Sequence, residues 1–175
     1  IRPHQWLKNA LIFLPLILSH QLNHPNLLLQ ACVAFFSFSF IASSVYLLND
    51  MLDINSDRQH QSKFRRPFAS GDLSLIYGYL GAPSLLILGF LIASWLPTEF
   101  VFVLLTYWLM TTAYSLLLKS LFLIDVLTLA SLYTWRIIAG SAAISVVTTY
   151  YLLTFSFFLF PVSYTHLTLP TKRIV

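Results

Sequence analysis

Charge is scarce in this chain. Lysine and arginine number 10 and aspartate and glutamate only 6 in 175 residues, so 9% of the chain is charged while 58% is hydrophobic. Ordinary soluble domains carry about 25% charged residues, and with a mean hydropathy of +0.77 the composition excludes one. The single cysteine, Cys32, rules out an intrachain disulfide and leaves the redox compartment unread. No Gly/Ser-rich linker and no repeat of roughly 20–50 residues divides the chain, which therefore reads as one helical bundle. No small-residue cleavage site follows the first apolar run, so a signal peptide is not expected. The five histidines lack metal-ligand spacing; His20 and His24 stand four apart but flank Asn23 and Pro25.

What remains is a series of apolar runs near the length of about 18 or more residues that marks a spanning helix. The chain is expected to be an all-α, polytopic transmembrane bundle of five to six spans, near residues 10–19, 27–48, 75–96, 100–118 and 121–147, with another beginning at 150–160. The first is short and contains Pro15, and the segment from Trp6 could lie along the interface before it descends.

The net charge of +4 does not point to nucleic acid, because the basic residues follow the positive-inside rule. Arg2 and Lys8 precede the first run, Arg58, Lys63, Arg65 and Arg66 lie between the second and third, and Lys119 lies between the fourth and fifth. The alternate connections, 20–26, 97–99 and 148–149, contain no lysine or arginine. The N-terminus and the basic loop are thus expected on the cytoplasmic side of the membrane.

Three of the six carboxylates, Asp50, Asp53 and Asp57, fall in one window at the end of the second run. Their i, i+3, i+7 spacing would align them on one helical face, with Asn49 on a neighbouring stripe. The negative end of the helix dipole lies there too. At an effective dielectric of about 20, two carboxylates roughly 6 Å apart repel by about 3 kcal/mol, and no lysine or arginine is interleaved to offset this. A hard divalent cation would be. Mg²⁺ takes oxygen ligands and is typically held by one or two carboxylates plus substrate phosphates.

The window reads NDxxDxxxD and resembles the first aspartate-rich motif of the UbiA superfamily of membrane prenyltransferases. The opening Arg2, Pro3, Gln5, Trp6, Lys8 and Asn9 resembles the start of the decaprenyl-phosphate phosphoribosyltransferase-like branch. Arg66-Pro67-Phe68-Ala69-Ser70-Gly71, Tyr114-Ser115 with Lys119, Asp125, and Arg136 with Ala139-Gly140 resemble it in order and approximate spacing, so the likeness covers about residues 2–160. It implies a fold of about nine helices in which two aspartate-rich cytoplasmic loops hold Mg²⁺ against a diphosphate, above a cavity for a polyprenyl chain. Residues 1–162 would form the truncated family domain, with 163–175 a non-native tail. Since the second loop would fall past residue 160, the chain alone is expected to insert in a membrane but to be poorly stable and inactive.

On this reading Asp50, Asp53 and Asp57 are the catalytic metal ligands, and Asn49 binds an oxygen or orients a carboxylate. Arg58 and Arg66 are favoured over Lys63 for phosphate because a guanidinium offers two parallel donors. Lys8, Tyr114 and Lys119 are further substrate-binding candidates. Arg136 stands within an apolar run, where a charge costs about 2.5–3.5 kcal/mol, and is expected either to point into the cavity or to pair with a buried acid. Asp125 fits a cap, a metal-shell residue or a sugar-hydroxyl acceptor.

The partners implied are a polyprenyl lipid and a diphosphate-bearing co-substrate within membrane lipid. Departure of a diphosphate develops negative charge that metal ions and cations stabilise. Phosphoribosyl transfer to polyprenyl phosphate is preferred. Prenyl transfer to a hydroxybenzoate-type acceptor, a transporter, and a silent relative are the alternatives. A transporter would place charges near the midplane, whereas here the acids gather at one face.

Overall fold

The computed structural model describes residues 6–59, 63–118, 122–146 and 154. Among them every element is helical. The first, α1 (Leu7–Leu18), begins as a 3₁₀ helix over Leu7–Phe13 and relaxes into an α-helical turn over Leu14–Leu18, with Pro15 at its start. At about 1.5–2 Å per residue it falls short of a core of about 30 Å. The span expected at 10–19 is therefore a partial insertion, closed by His20 in the left-handed region at φ 55°.

The long α2 (Pro25–Leu52) carries Pro25 in its first turn, where a missing N–H costs nothing. It is followed by the short α3 (Ile54–Gln59), a 3₁₀ turn (Lys63–Arg65) and α4 (Pro67–Ser70). Gly71, at φ 88°, caps α4 in a conformation that glycine adopts without steric cost. Then come α5 (Leu75–Ala93), α6 (Thr98–Ala113), which widens into a π turn over Tyr114–Leu118, and α7 (Phe122–Ala143).

Among the described residues three helices, Pro25–Leu52, Leu75–Ala93 and Thr98–Leu116, are long and apolar enough to cross a membrane, as expected at 27–48, 75–96 and 100–118. The 22 residues of α7 also suffice in length; it covers most of the 121–147 run, and Ser145 at φ 53° follows it. The run expected at 150–160 and the tail 163–175 lie outside the described residues.

Helix α2 is the axis of the bundle. It packs most extensively on α5, touches α1, α6 and α7, and the pairs α6–α7 and α1–α7 close the other side. Lipid tails are as apolar as leucine, so membrane helices associate through close packing of small residues and interhelical hydrogen bonds. The α2–α5 seam has both. Ser37 Oγ donates to the Gly89 carbonyl at 2.9 Å and Ser44 Oγ to the Ala82 carbonyl at 2.7 Å, seven residues apart on one face of α2. The outer face of α5 leaves Ile76, Tyr77, Leu80, Ile87 and Leu91 exposed, as a lipid-facing surface does. Phe38, Phe100 and Leu104 are fully buried in a core to which α2, α6 and α7 all contribute, and the equally buried Ile41 lies against Gly89 of α5.

The backbones of α7 and α1 approach closely at Gly140. A Cβ placed on Gly140 would overlap the Ile12 carbonyl oxygen and stand 2.9 Å from its carbon. Gly140→Ala is therefore expected to destabilise the fold by about 2 kcal/mol or more. Gly81→Ala, whose Cβ would meet only Leu47 Cδ1 at an ordinary 3.5 Å, should be neutral or slightly stabilising. Thermal unfolding in detergent compares the two; equal effects would show that α1 is not packed against Gly140.

Candidate active site

Helix α2 stops at Leu52, and Asp53 caps it with its N–H on the Asn49 carbonyl at 3.0 Å. The chain turns there before α3, so the three aspartates do not form one uninterrupted helical row. Asp57 is turned inward and is 2% exposed. The repulsion that the sequence left uncompensated is offset by a residue nine positions on. Arg66 Nη1 donates to Asp57 Oδ2 at 2.7 Å and stands 3.3 Å from Asp50 Oδ1. Pro67 starts α4 immediately after Arg66 in extended conformation, which brings the guanidinium back beneath the motif. Arg58 Nε, meanwhile, donates to the Ala69 carbonyl at 3.1 Å and ties α3 to α4.

A cleft of about 190 Å³ opens beside Asn49, between α1, α2, α6 and α7. Its polar lining includes Lys8, Asn49, Thr111, Tyr114, Ser115 and Arg136. The π turn has a role here, because widening the helix at Tyr114 brings Tyr114 and Ser115 to the same wall; such bulges recur at functional sites. A smaller pocket of about 140 Å³, lined by Tyr46, Asp50, Phe68 and Leu73 among others, lies on the Asp50 side. Tyr46 borders both.

Arg136 forms the inner end of the cleft and is 4% exposed. Nε donates to Asn9 Oδ1 at 2.9 Å, Nη1 to the Leu132 carbonyl at 2.6 Å, and Nη2 to the Tyr107 hydroxyl at 3.3 Å. The guanidinium also lies 5.3–5.7 Å from the ring centroids of Phe38, Tyr107 and Tyr133, within the range of cation–π attraction. All three acceptors are neutral. The alternative of an ion pair with a buried acid is thus not what the described residues form. Asn9, 1% exposed, also donates Nδ2 to Ser39 Oγ at 2.9 Å, so one amide links α1, α2 and α7. Trp6 Nε1 donates to Ser43 Oγ at 3.2 Å one turn along, which gives this tryptophan a specific partner besides its interfacial ring. Together these bonds fix the start of α1 and hold Lys8, 5.8 Å from the Tyr133 ring centroid, at the cleft.

Of the residues the sequence singled out, the structure thus brings Lys8, Asn49, Tyr114 and Arg136 to one cleft, and Asp50, Asp57 and Arg66 to one adjoining cluster. Asp53 stands at the bend between them. Arg58 is engaged with the backbone of α4. Lys119 and Gln5 lie outside the described residues, as do the side chains of Lys63 and Asp125. Sequence reasoning placed Asn9 in the opening motif without giving it a role, and it missed Tyr46, Tyr107, Thr111 and Tyr133. An asparagine at the head of an apolar run was the available signal for Asn9; the tyrosines and Thr111 sit in apolar helices with nothing local to mark them.

Among the described residues no three histidine, cysteine, aspartate or glutamate side chains form a metal cage. The donor set nevertheless suits magnesium, which needs one or two carboxylates and completes its shell with water and phosphate. The Arg66 guanidinium stands in for a cation between Asp50 and Asp57 and shows that positive charge is accommodated there.

The UbiA prenyltransferase family model matches residues 10–173. This chain belongs to the UbiA prenyltransferase family. A solved UbiA homologue from Archaeoglobus fulgidus, bound to DMAPP and Mg²⁺, superposes with a TM-score of 0.76 at 20% identity, over 93% of this chain and 59% of that one; it shares the fold. Among curated relatives, nodulation protein NoeC of Azorhizobium caulinodans is 36% identical over 83% of this chain and 47% of its own length. Decaprenyl-phosphate phosphoribosyltransferase of Mycobacterium tuberculosis is 33% identical over 82% of this chain and 49% of its own. An uncharacterised Sinorhizobium fredii protein, y4nM, is 35% identical over 91% of this chain and 31% of its own. The chain spans about half the length, or less, of the curated relatives it matches. With its apolar spanning helices, this UbiA family member is an integral membrane protein.

Proposed function

We propose that the protein is a magnesium-dependent membrane transferase that moves a phosphoribosyl group from phosphoribosyl diphosphate to a polyprenyl phosphate, with its site open to the cytoplasm. The observation that carries this reading is the cleft beside Asn49: two cations, Lys8 and Arg136, with hydroxyl and amide groups around them and no carboxylate in the described lining. A phosphate-bearing sugar uses two cations and several hydroxyls, more than a hydroxybenzoate acceptor requires, while the apolar remainder of the wall, from Ala42, Val45 and Leu132, suits a lipid chain. The relatives named as phosphoribosyltransferases support the same choice.

In this mechanism Lys8 holds the sugar phosphate by charge, and Arg136 adds positive potential from within the wall. Tyr114 and Ser115 offer hydroxyls to the ribose. Asn49, Asp50 and Asp53 would hold magnesium, which supplies charge neutralisation to the leaving diphosphate. An oxygen of the polyprenyl phosphate attacks the anomeric carbon as the bond to the diphosphate oxygen breaks, and a phosphodiester results. The nucleophile is already anionic, so no protein base is required. Apolar walls such as Ala42, Val45 and Leu132 exclude water, which would otherwise compete.

The full-length gene product in proteoliposomes, given phosphoribosyl diphosphate and polyprenyl phosphate, should release diphosphate and form a lipid-linked phosphoribose, and a chelator should stop both. Turnover of prenyl diphosphate with a hydroxybenzoate instead would overturn the assignment. For orientation, in a Cys32→Ala background, cysteines replacing Ser62 and Ser120 should label only from the cytoplasmic side and one replacing Asn23 only from the other. Labelling of the Ser62 position from outside would invert the topology.

A further inference from the structure

The acidic motif carries three aspartates, yet their surroundings differ sharply. Asp57 is buried, with its side chain 3% exposed, and makes the short contact of 2.7 Å to Arg66 Nη1. The side chain of Asp50 is 12% exposed, borders a pocket, and makes the longer contact of 3.3 Å to the same nitrogen. Charge-assisted contacts of 2.7–2.9 Å are the strong ones, and a pair removed from water is screened less than one at the surface. A single guanidinium therefore has a firm inner partner and a loose outer one.

We infer that Asp57 is a positioning residue that anchors Arg66, and that Arg66 is a built-in counter-cation that a divalent metal displaces from Asp50. This deepens the metal-dependent reading above and rests on it. With Arg66 retained by Asp57, the two charges cancel in every state, and a metal arriving at the end of α2 displaces Arg66 from its outer contact while the inner one stays. Asn49, Asp50 and Asp53 are left as the motif's donors. A donor set of one amide and two carboxylates suits an ion that keeps places for water and phosphate. The arrangement also relieves the carboxylate repulsion at the negative end of the α2 dipole while no metal is bound.

Mn²⁺ binding to the full-length protein in nanodiscs, followed by electron paramagnetic resonance without donor or acceptor substrate, tests the division of roles. Asp50→Asn should weaken Mn²⁺ binding about tenfold or more. Asp57→Asn removes no donor but leaves the guanidinium uncancelled beside Asp50, so it should weaken Mn²⁺ binding by less than Asp50→Asn does while lowering the melting temperature of the metal-free protein. Arg66→Gln, with the competing cation gone, should tighten Mn²⁺ binding several-fold and lower the metal-free melting temperature, a loss that Mn²⁺ reverses; Arg66→Lys should restore both values toward wild type. Asp57→Asn weakening Mn²⁺ as much as Asp50→Asn would overturn the inference, and so would unchanged or weaker Mn²⁺ binding in Arg66→Gln. If Arg66→Gln does not fold, the comparison of Asp57→Asn with Asp50→Asn decides alone. Absence of Mn²⁺ binding by the wild type would sink the metal reading itself. Failure of phosphoribosyl transfer with this binding pattern intact would sink only the choice of substrate.

Discussion

Arg136→Met is expected to lower stability by about 2–4 kcal/mol, because a side chain of similar length replaces the cation while its partners stay behind. Asn9 Oδ1 and the Tyr107 hydroxyl would each lose a charge-assisted hydrogen bond in a buried site, and an orphaned buried polar group costs about 1–3 kcal/mol. Asn9→Leu should cost a comparable amount for the opposite reason. It leaves the guanidinium in place with one acceptor fewer and also unpairs Ser39. The double variant should fall short of the sum of the two by about 1 kcal/mol or more, as expected for contacting residues in one network. Thermal unfolding in detergent measures all three. Unchanged melting temperatures would show that apolar packing alone holds α1 in the bundle. The same variants should release Lys8 from the cleft, so phosphoribosyl diphosphate should bind more weakly to whatever fraction folds.

Asp50→Asn in the full-length protein should lower metal-dependent turnover about 100-fold or more, the scale on which removing one stabilising group from a developing charge acts. Asp53→Asn should behave alike. Folding should be preserved in both, since Asp57 keeps Arg66 paired when Asp50 is replaced and Asp53 caps α2 through its backbone N–H, which the amide variant retains. Replacing His20 and His24 together by alanine, in the turn between α1 and α2, should leave turnover within about twofold. Near-normal activity in both aspartate variants would remove magnesium from the proposed mechanism.

The bundle was legible in the chain because its cause is local. A run of apolar residues in a chain that is 9% charged has to be a helix in lipid, where every backbone group must find its partner within the segment. Length then tells a spanning run from a partial one, and α1 was misread only in degree. The acidic motif and the basic loop after it were equally visible, since each is a short stretch of unlike composition. The small residues of the α2–α5 seam were visible as letters but not as a seam.

What the sequence by itself determined is therefore the class of protein, the place of the acidic motif at the end of α2, and the hard-oxygen chemistry of its donors. Tertiary structure alone decided which of these groups serve one another. Arg136 and Asn9 are 127 residues apart, and helical periodicity assigns each a face without naming the helix that will cover it. Asp57 and Arg66 are only nine apart, yet the bend at Asp53 and the extended backbone before Pro67 had to form before one could anchor the other. A spacing rule for a continuous helix lined up three equal carboxylates. The break in that helix made one of them the buried partner of an arginine, because a charge turned out of water needs a counter-charge at contact distance and only the folded loop supplied it.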